Sequence, residues 1–481
     1  MIWIGNHLYD GLVRLDSNLN VIPGIAKSWT VEDSGKKYIF RLRSDVFFHE
    51  NEAFGKNRTR RVVAEDFAYS LSRLIDDELA SPGAWVLNQV NHFYAADDST
   101  LVIELNQPFP PFLGMLSMAY CSVVPFELAE ENNFGRSPVG TGPFHFKAWK
   151  EGVKLVLNKN PRYFLFKDGQ RLPFLDGVSV SFIPDKQAAF LDFLTGNIDF
   201  ISGLDASYKD ELLDAQGELR GKYREEFKLL TSPYLNTEYL GFSMETPPMG
   251  MDSTSYRYLR KAINHGFDRK SMMKYLRNNI GIPAEHGFVP LGLPMPVREP
   301  VLRYSPERVA AYLDSAGYPG GEGLPELKLY TNASYLDLCE YIQSSLAEQG
   351  INMQVEVNPP STLREMMSTG KAPMFRGSWI ADYPDPENYL ALAYGPNRAP
   401  EGPNYTRFQN QHYDDLYRTS LSITNDSIRG RMYWKMDSLL SEESPIIPLY
   451  YDEAVRFTRK NIKGLEPNPL NMLDLRRVMK E

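Results

Sequence analysis

The chain has 481 residues, 43% hydrophobic and 23% charged, enough for about three domains with sizeable cores. Its net charge of −9 argues against nucleic acid or an anionic membrane as the main partner. No run approaches the ~18 apolar residues of a membrane span, and two cysteines, Cys121 and Cys339, make neither a disulfide framework nor a metal site.

In chain order, Tyr38, Phe40 and Leu42 alternate with Ile39, Arg41 and Arg43, which predicts a half-buried strand. Asn51 to Arg61 is polar and basic and reads as a solvated insertion. Phe67, Ala68, Leu71, Leu74 and Ile75 make one helical face. Leu101, Ile103 and Leu105 form a strand that stops at a proline break, Pro108 to Pro111. Pro138 to Phe144 has the flavour of a phosphate loop but lacks the Gly-Lys-Ser/Thr ending, so it reads as a crossing turn between domains. Leu155 and Leu157, then Val178, Val180 and Phe182, mark two strands. A short helix covers Ala188 to Leu194 and stops near Gly196.

The pattern changes around Leu235-Asn236. Tyr258 to Gly266 is helical, and Asp268 caps the next helix. Ser305 with Pro306 starts another, which Gly317 closes. Leu327, Leu329 and Thr331, then Leu338, Ile342 and Leu346, then Met353, Val355 and Val357 follow a strand–helix–strand order. That is a βαβ unit, so this part is α/β. Thr424 is the expected cap of a long helix through Leu440, and Pro445 to Tyr450 reads as a buried strand.

Trp379 to Asn388 carries the chemistry. Ser378-Trp379-Ile380 is extended, and Pro384 and Pro386 forbid a helix, so a strand end should run into a rigid loop. Asp382, Asp385 and Glu387 lie close together, with Trp379, Tyr383 and Tyr389 beside them. A carboxylate at the end of an exposed strand edge suits a ligand with a backbone and an amine. An acidic surface turn accounts for the same residues. The seven histidines have no zinc-ligand spacing, no Gly-x-Ser-x-Gly elbow occurs, and nothing selects a glycosidase carboxylate pair. A cofactor is not expected, and an enzyme is the weaker reading.

Leu8 to Leu15, Pro23 to Trp29, Tyr38 to Arg43, Ala64 to Ser70, Pro138 to Phe144, Arg260 to Asn264 with Phe267 to Arg269, and Trp379 to Asn388 together resemble one family. It is the bacterial solute-binding proteins of ABC importers, the oligopeptide, dipeptide and nickel group. The resemblance covers almost the whole chain in the family's order. It implies a periplasmic-binding-protein-like α/β fold of two main lobes with a hinge plus a smaller accessory lobe. Lobe I would be discontinuous, 1–20 with 141–235 and 453–481 and its first strand missing, the accessory lobe 21–140, and lobe II 236–452. The crossings near 235 and 452 would be the hinge.

The same resemblance implies that Asp382 holds a peptide's α-ammonium and that Ser378 to Ile380 pair with the peptide main chain. Trp379 and Tyr383 would shield that contact, and Trp85 falls where the accessory lobe meets ligand in relatives. Arg376 matches a position that meets the peptide carboxylate in some relatives; a solvated arginine on a strand is the other reading. The implied partners are a peptide and an inner-membrane ABC permease, with a monomer expected. A nickel chelate, haem or an oligosaccharide are the alternatives within the family, and a secreted glycoside-active enzyme the alternative outside it. Residues 1–4 start near the Leu-Tyr-Asp-Gly motif without a leader, so we expect a truncated front end of an exported protein, periplasmic or membrane-anchored as a lipoprotein. Val63 stands where the family usually has a capping threonine, so that helix needs another partner for its free amides.

Overall fold

The computed structural model describes residues 2–128, 134–205, 207–251, 253–297 and 299–481. Met1 therefore lies outside the described residues. The chain divides into two compact units. The first is Met1–Leu212, Leu219–Ser232 and Ala454–Glu481, and the second is Leu213–Glu218 with Pro233–Glu453.

In the first unit, helix α1 (Ile2–Leu8) precedes a four-stranded antiparallel sheet built from β1 (Ala26–Glu32), β2 (Lys37–Leu42), β3 (Val90–Asp97) and β4 (Thr100–Leu105), in the order β1-β2-β4-β3. The alternation expected at 38–42 holds, since Tyr38, Phe40 and Leu42 are buried. Helix α2 (Ala64–Ser72) packs on β3 and β4 with Phe67 and Leu71 inward, while Ile75 lies beyond it and is exposed. The helix start finds its partners in protein. Val63 N–H donates to the Asp66 carboxylate at 2.9 Å, and Ala64 N–H to Asp98 O at 2.8 Å. Asp66 is held in turn by Arg60 at 2.6 Å. Arg60 also pairs with Glu127 and lies over the Phe48 and Phe126 rings, 4.9 and 4.7 Å from their centres. The Asn51 to Arg61 segment is therefore no solvated insertion at its C-terminal end: two carboxylates and aromatic faces draw Arg60 inward.

A second sheet of this unit joins β5 (Phe144–Lys150), β6 (Lys154–Lys159) and β7 (Gly177–Ser181) in the order β7-β6-β5. Leu8 of α1 packs with Phe144, Leu155 and Leu157. The Pro138 to Phe144 turn lies within this unit. A Cβ on Gly142 would stand 2.4 Å from His7 O, so only glycine lets the turn meet α1. Asp10 is buried below that turn, accepting from Thr141 Oγ1 at 3.2 Å, Tyr163 Oη at 3.1 Å and Arg476 at 3.4 Å. Helix α3 (Lys186–Thr195) is capped by Asp185 and ended by Gly196 at φ 87°.

The second unit is organised on a mixed sheet. Its strands are β8 (Phe227–Phe242), β9 (Leu327–Thr331), β10 (Met353–Val357), β11 (Met374–Ile380) and β12 (Ile446–Arg459), in the order β12-β8-β11-β9-β10. The two long strands, β8 and β12, each carry residues of both units. Helix α4 (Thr254–His265) and α5 (Arg269–Arg277) precede the βαβ unit, and Asp268 caps α5 by accepting from Lys270 N–H at 3.0 Å. Ser305 and Gly317 bound α6 (Pro306–Ala316) as expected. β9 and β10 are parallel and joined by α7 (Leu336–Ala347). The long helix, Asp426–Glu443, is capped by Asn425 and not Thr424, its side chain accepting from Ile428 N–H at 3.1 Å. Both cysteines are unpaired and buried. Among the described residues no helix is long and apolar enough to cross a membrane.

Candidate functional site

Strand β11 pairs with β8 along its whole length, from Met374↔Phe242 to Ile380↔Asn236. Gly377 is required there, because a Cβ would stand 2.6 Å from the Tyr239 ring on the facing strand. Just past the strand, Ala381 N–H donates to Leu235 O at 2.8 Å. Antiparallel partners exchange bonds at every second residue. Residues 377, 379 and 381 therefore bond to β8, and residues 376, 378 and 380 aim their main-chain groups at the opposite flank. On that flank β9 pairs only with Met374 and Phe375. The N–H and C=O of Ser378 and Ile380 face a flank with no strand beside it among the described residues. Both residues are exposed, Ile380 at 47%.

Asp382 stands at the end of this open edge. Its side chain is exposed, yet enough protein surrounds it to push its carboxyl above the usual carboxylate range, and a hydrogen bond from Asn388 opposes that rise. No cation of the described residues is paired with it. Asn388 fixes the corner: its Oδ1 accepts from Trp379 Nε1 at 2.9 Å and from Asp382 N–H at 3.2 Å. Trp379 is half-buried beside the acid.

The other two carboxylates of the stretch are not surface charges. Asp385 accepts from Glu387 N–H at 2.9 Å and lies 3.9 Å from the buried Arg429. Glu387 opens a one-turn helix (Glu387–Leu390) straight after Pro386 and is buried, accepting from the Tyr383 and Tyr417 hydroxyls. Tyr383 is thus a support of the loop, and Tyr389 is fully buried, donating to Leu235 O at 2.6 Å. The acidic-turn alternative fails for two of its three acids, because tyrosines and an arginine distant in sequence draw them in.

Burial pushes the Glu387 carboxyl up to about 7, with the two tyrosine donors pulling it back. The folded state then holds a proton that an unfolded glutamic acid releases near pH ~4.3. The native state binds more protons in that window, so stability falls as pH rises from about 4.5 to 7, by at most about 4 kcal/mol at about 1.4 kcal/mol per pKa unit. Glu387→Gln should flatten that slope in urea unfolding. A constant difference between the two proteins from about pH 5 to 7.5 would assign the slope to another group.

Arg376 is not the solvated arginine of the alternative reading. It is 5% exposed, ion-paired with the buried Glu238 of β8, and its guanidinium carbon lies 3.0 Å from the Tyr335 ring centre. Glu238, Tyr335 and Asn388 are the residues that sequence reasoning missed. Only Asn388 had a signal, its place at the end of the same stretch. Trp85 belongs to the first unit, half-buried in the turn Ala84–Leu87. Among the described residues no group of three or more His, Cys, Asp or Glu is placed to hold a metal ion.

An open strand edge ending in a carboxylate, on an α/β sheet, has the geometry to take an extended ligand that carries an amine. A profile of the bacterial extracellular solute-binding proteins, family 5, matches residues 20–401, and the chain belongs to that family. The chain is 25% identical to the probable di/tripeptide-binding protein 5 of Pseudomonas aeruginosa, over 98% of its own length and 89% of the relative's. It is also 25% identical to the heme-binding protein A of Haemophilus influenzae, over 96% and 85%. Among solved structures it is similar in fold to the periplasmic binding protein DppA of Helicobacter pylori in complex with the peptide STSA. That likeness has a TM-score of 0.79 and 24% identity, over 99% of this chain and 92% of that one.

Proposed function

We propose that this chain is the ligand-capturing subunit of an ABC importer, taking short peptides and delivering them to an inner-membrane permease. The observation that carries this reading is Asp382, an exposed acid without a cationic partner among the described residues, at the end of the open flank of β11. An extended peptide adds to that edge through Ser378 and Ile380 and places its ammonium on Asp382 beside Trp379. Di- and tripeptide binding by the Pseudomonas relative supports this choice. Haem binding by the Haemophilus relative names the rival. A haem does not use a strand edge, and its propionates repel a carboxylate.

The protein acts as a monomer without turnover, outside the inner membrane, free in the periplasm or anchored as a lipoprotein. Lobes 1–20 with 141–235 and 453–481, 21–140, and 236–452 belong to the same reading, with Trp85 on the accessory lobe as a ligand contact. The crossings near 235 and 452 serve as the hinge, and ligand shifts the population toward a closed form. Small-angle scattering with and without saturating trialanine tests this. The radius of gyration should fall. An unchanged radius with trialanine, and a fall with haem or a nickel chelate, would move the reading to that ligand.

A further inference from the structure

The open flank of β11 is short, because it stops where β9 pairs with Met374 and Phe375. At about 3.4 Å per residue, the positions from Ile380 back to Arg376 span roughly 14–17 Å. At that rise a peptide of about four or five residues with its ammonium at Asp382 fills that length. Its carboxylate then comes abreast of Arg376, the cation at the far end of the edge.

That cation is already paired. Arg376 and Glu238 are in direct contact and both are buried. Glu238 is held by Asn236 Nδ2 at 3.0 Å and by Tyr335 Oη at 3.4 Å. The Tyr335 ring covers the guanidinium. Nη2 of Arg376 meets Glu238, and Nε is enclosed by protein without an acceptor. Arg277, another cation of this cluster, is paired with Asp452 at 2.5 Å.

We infer that Glu238 withholds Arg376 from the ligand, so that the site selects for an amine at Asp382 and gains nothing from a free carboxylate at the other end of the edge. The inference rests on the proposed reading of Asp382 as the amine anchor. A ligand carboxylate at Arg376 would have to displace Glu238 or stand beside it as a second buried anion, and like charges at that range oppose ionisation of both. The ligand class is then α-amino compounds whose far end is uncharged there: C-amidated peptides, or longer peptides whose carboxylate lies past the edge. Glu238 acts as a positioning residue through Arg376.

Calorimetry with tetra-alanine as free acid, as C-terminal amide and as the N-acetylated acid tests this on the wild type, on Glu238→Gln, and on the double variant Glu238→Leu/Arg376→Met. In the wild type the acid and the amide should bind within about threefold of each other, and N-acetylation should cost roughly 30-fold. Glu238→Gln frees Arg376, and the acid should then outbind the amide by about tenfold. The double variant removes both charges and keeps the wild-type acid-to-amide ratio, which decides the matter even where Glu238→Gln does not fold. A wild-type preference for the acid of about tenfold, lost in the double variant, would overturn the inference. Harmless N-acetylation, with acid and amide still equal, would instead sink the amine anchor and leave Arg376 withheld. No binding of any of the three ligands would sink both.

Discussion

Asp382→Asn is expected to weaken the binding of a free-amine tripeptide by roughly 30-fold or more, since removing one partner of a desolvated charge pair costs about 2–5 kcal/mol. The substitution keeps the size of the side chain and its hydrogen bond with Asn388, so Trp379 and the loop stay in place. What is lost is the charge at the end of the open edge. N-acetylation of the peptide should do similar harm to the wild type and little extra to the variant, because both changes remove one contact. The pH dependence has a sign as well. Protein around Asp382 holds its carboxyl above the ordinary range, so amine affinity falls as pH is lowered, sooner than for an open carboxylate. The N-acetylated peptide should show no such fall. If calorimetry on the four combinations finds losses that simply add, Asp382 does not hold the amine.

Arg269→Met should destabilise the second unit by about 3–5 kcal/mol, in line with stripping one partner from a buried charged network. Arg269 is 1% exposed, with no carboxylate in direct contact. Its donors meet Pro448 O at 2.8 Å, Leu302 O at 2.9 Å, Asn264 O at 3.0 Å and Asn264 Oδ1 at 2.6 Å. Burial alone pulls its pKa down to about 10, so the charge is costly where it sits. Methionine removes that cost but leaves four acceptors without donors, each worth about 1–3 kcal/mol. The acceptors win because they come from three separate segments that only a planar five-donor group can join. Arg269→Lys should recover little, having three donors at one point in place of a fork. The midpoint of urea unfolding, followed by tryptophan fluorescence, measures this. A loss below about 1 kcal/mol would mean that water replaces the guanidinium.

Local chemistry was legible in the sequence. Asp268 and Ser305 bond to amides two or three residues on, so composition alone places them. The βαβ unit at 327–357 follows from two hydrophobic periods in succession. The strand end at Ile380 and the rigid corner after it were equally readable, because prolines act within one residue of themselves. Long-range chemistry was not. Glu238 reaches Arg376 across 138 positions, and nothing near either residue announces the pair. Glu387 is buried because Tyr417, 30 residues on, closes over it. Arg60 looked like part of a basic loop because Glu127 lies 67 residues away. The acid that the structure leaves outside, Asp382, differs from its two neighbours only in what the rest of the chain fails to bring to it.

The Asp10 cluster joins distant parts of the chain. Asp10 and the guanidinium that answers it, Arg476, stand 466 residues apart along the chain. Without that guanidinium the Asp10 carboxylate is left to the Thr141 and Tyr163 hydroxyls. The first unit therefore needs residues from both sides of the second to complete this cluster, while Pro233–Glu453 is one nearly continuous run. Connectivity alone thus makes the first unit the slower of the two to complete its buried charge cluster.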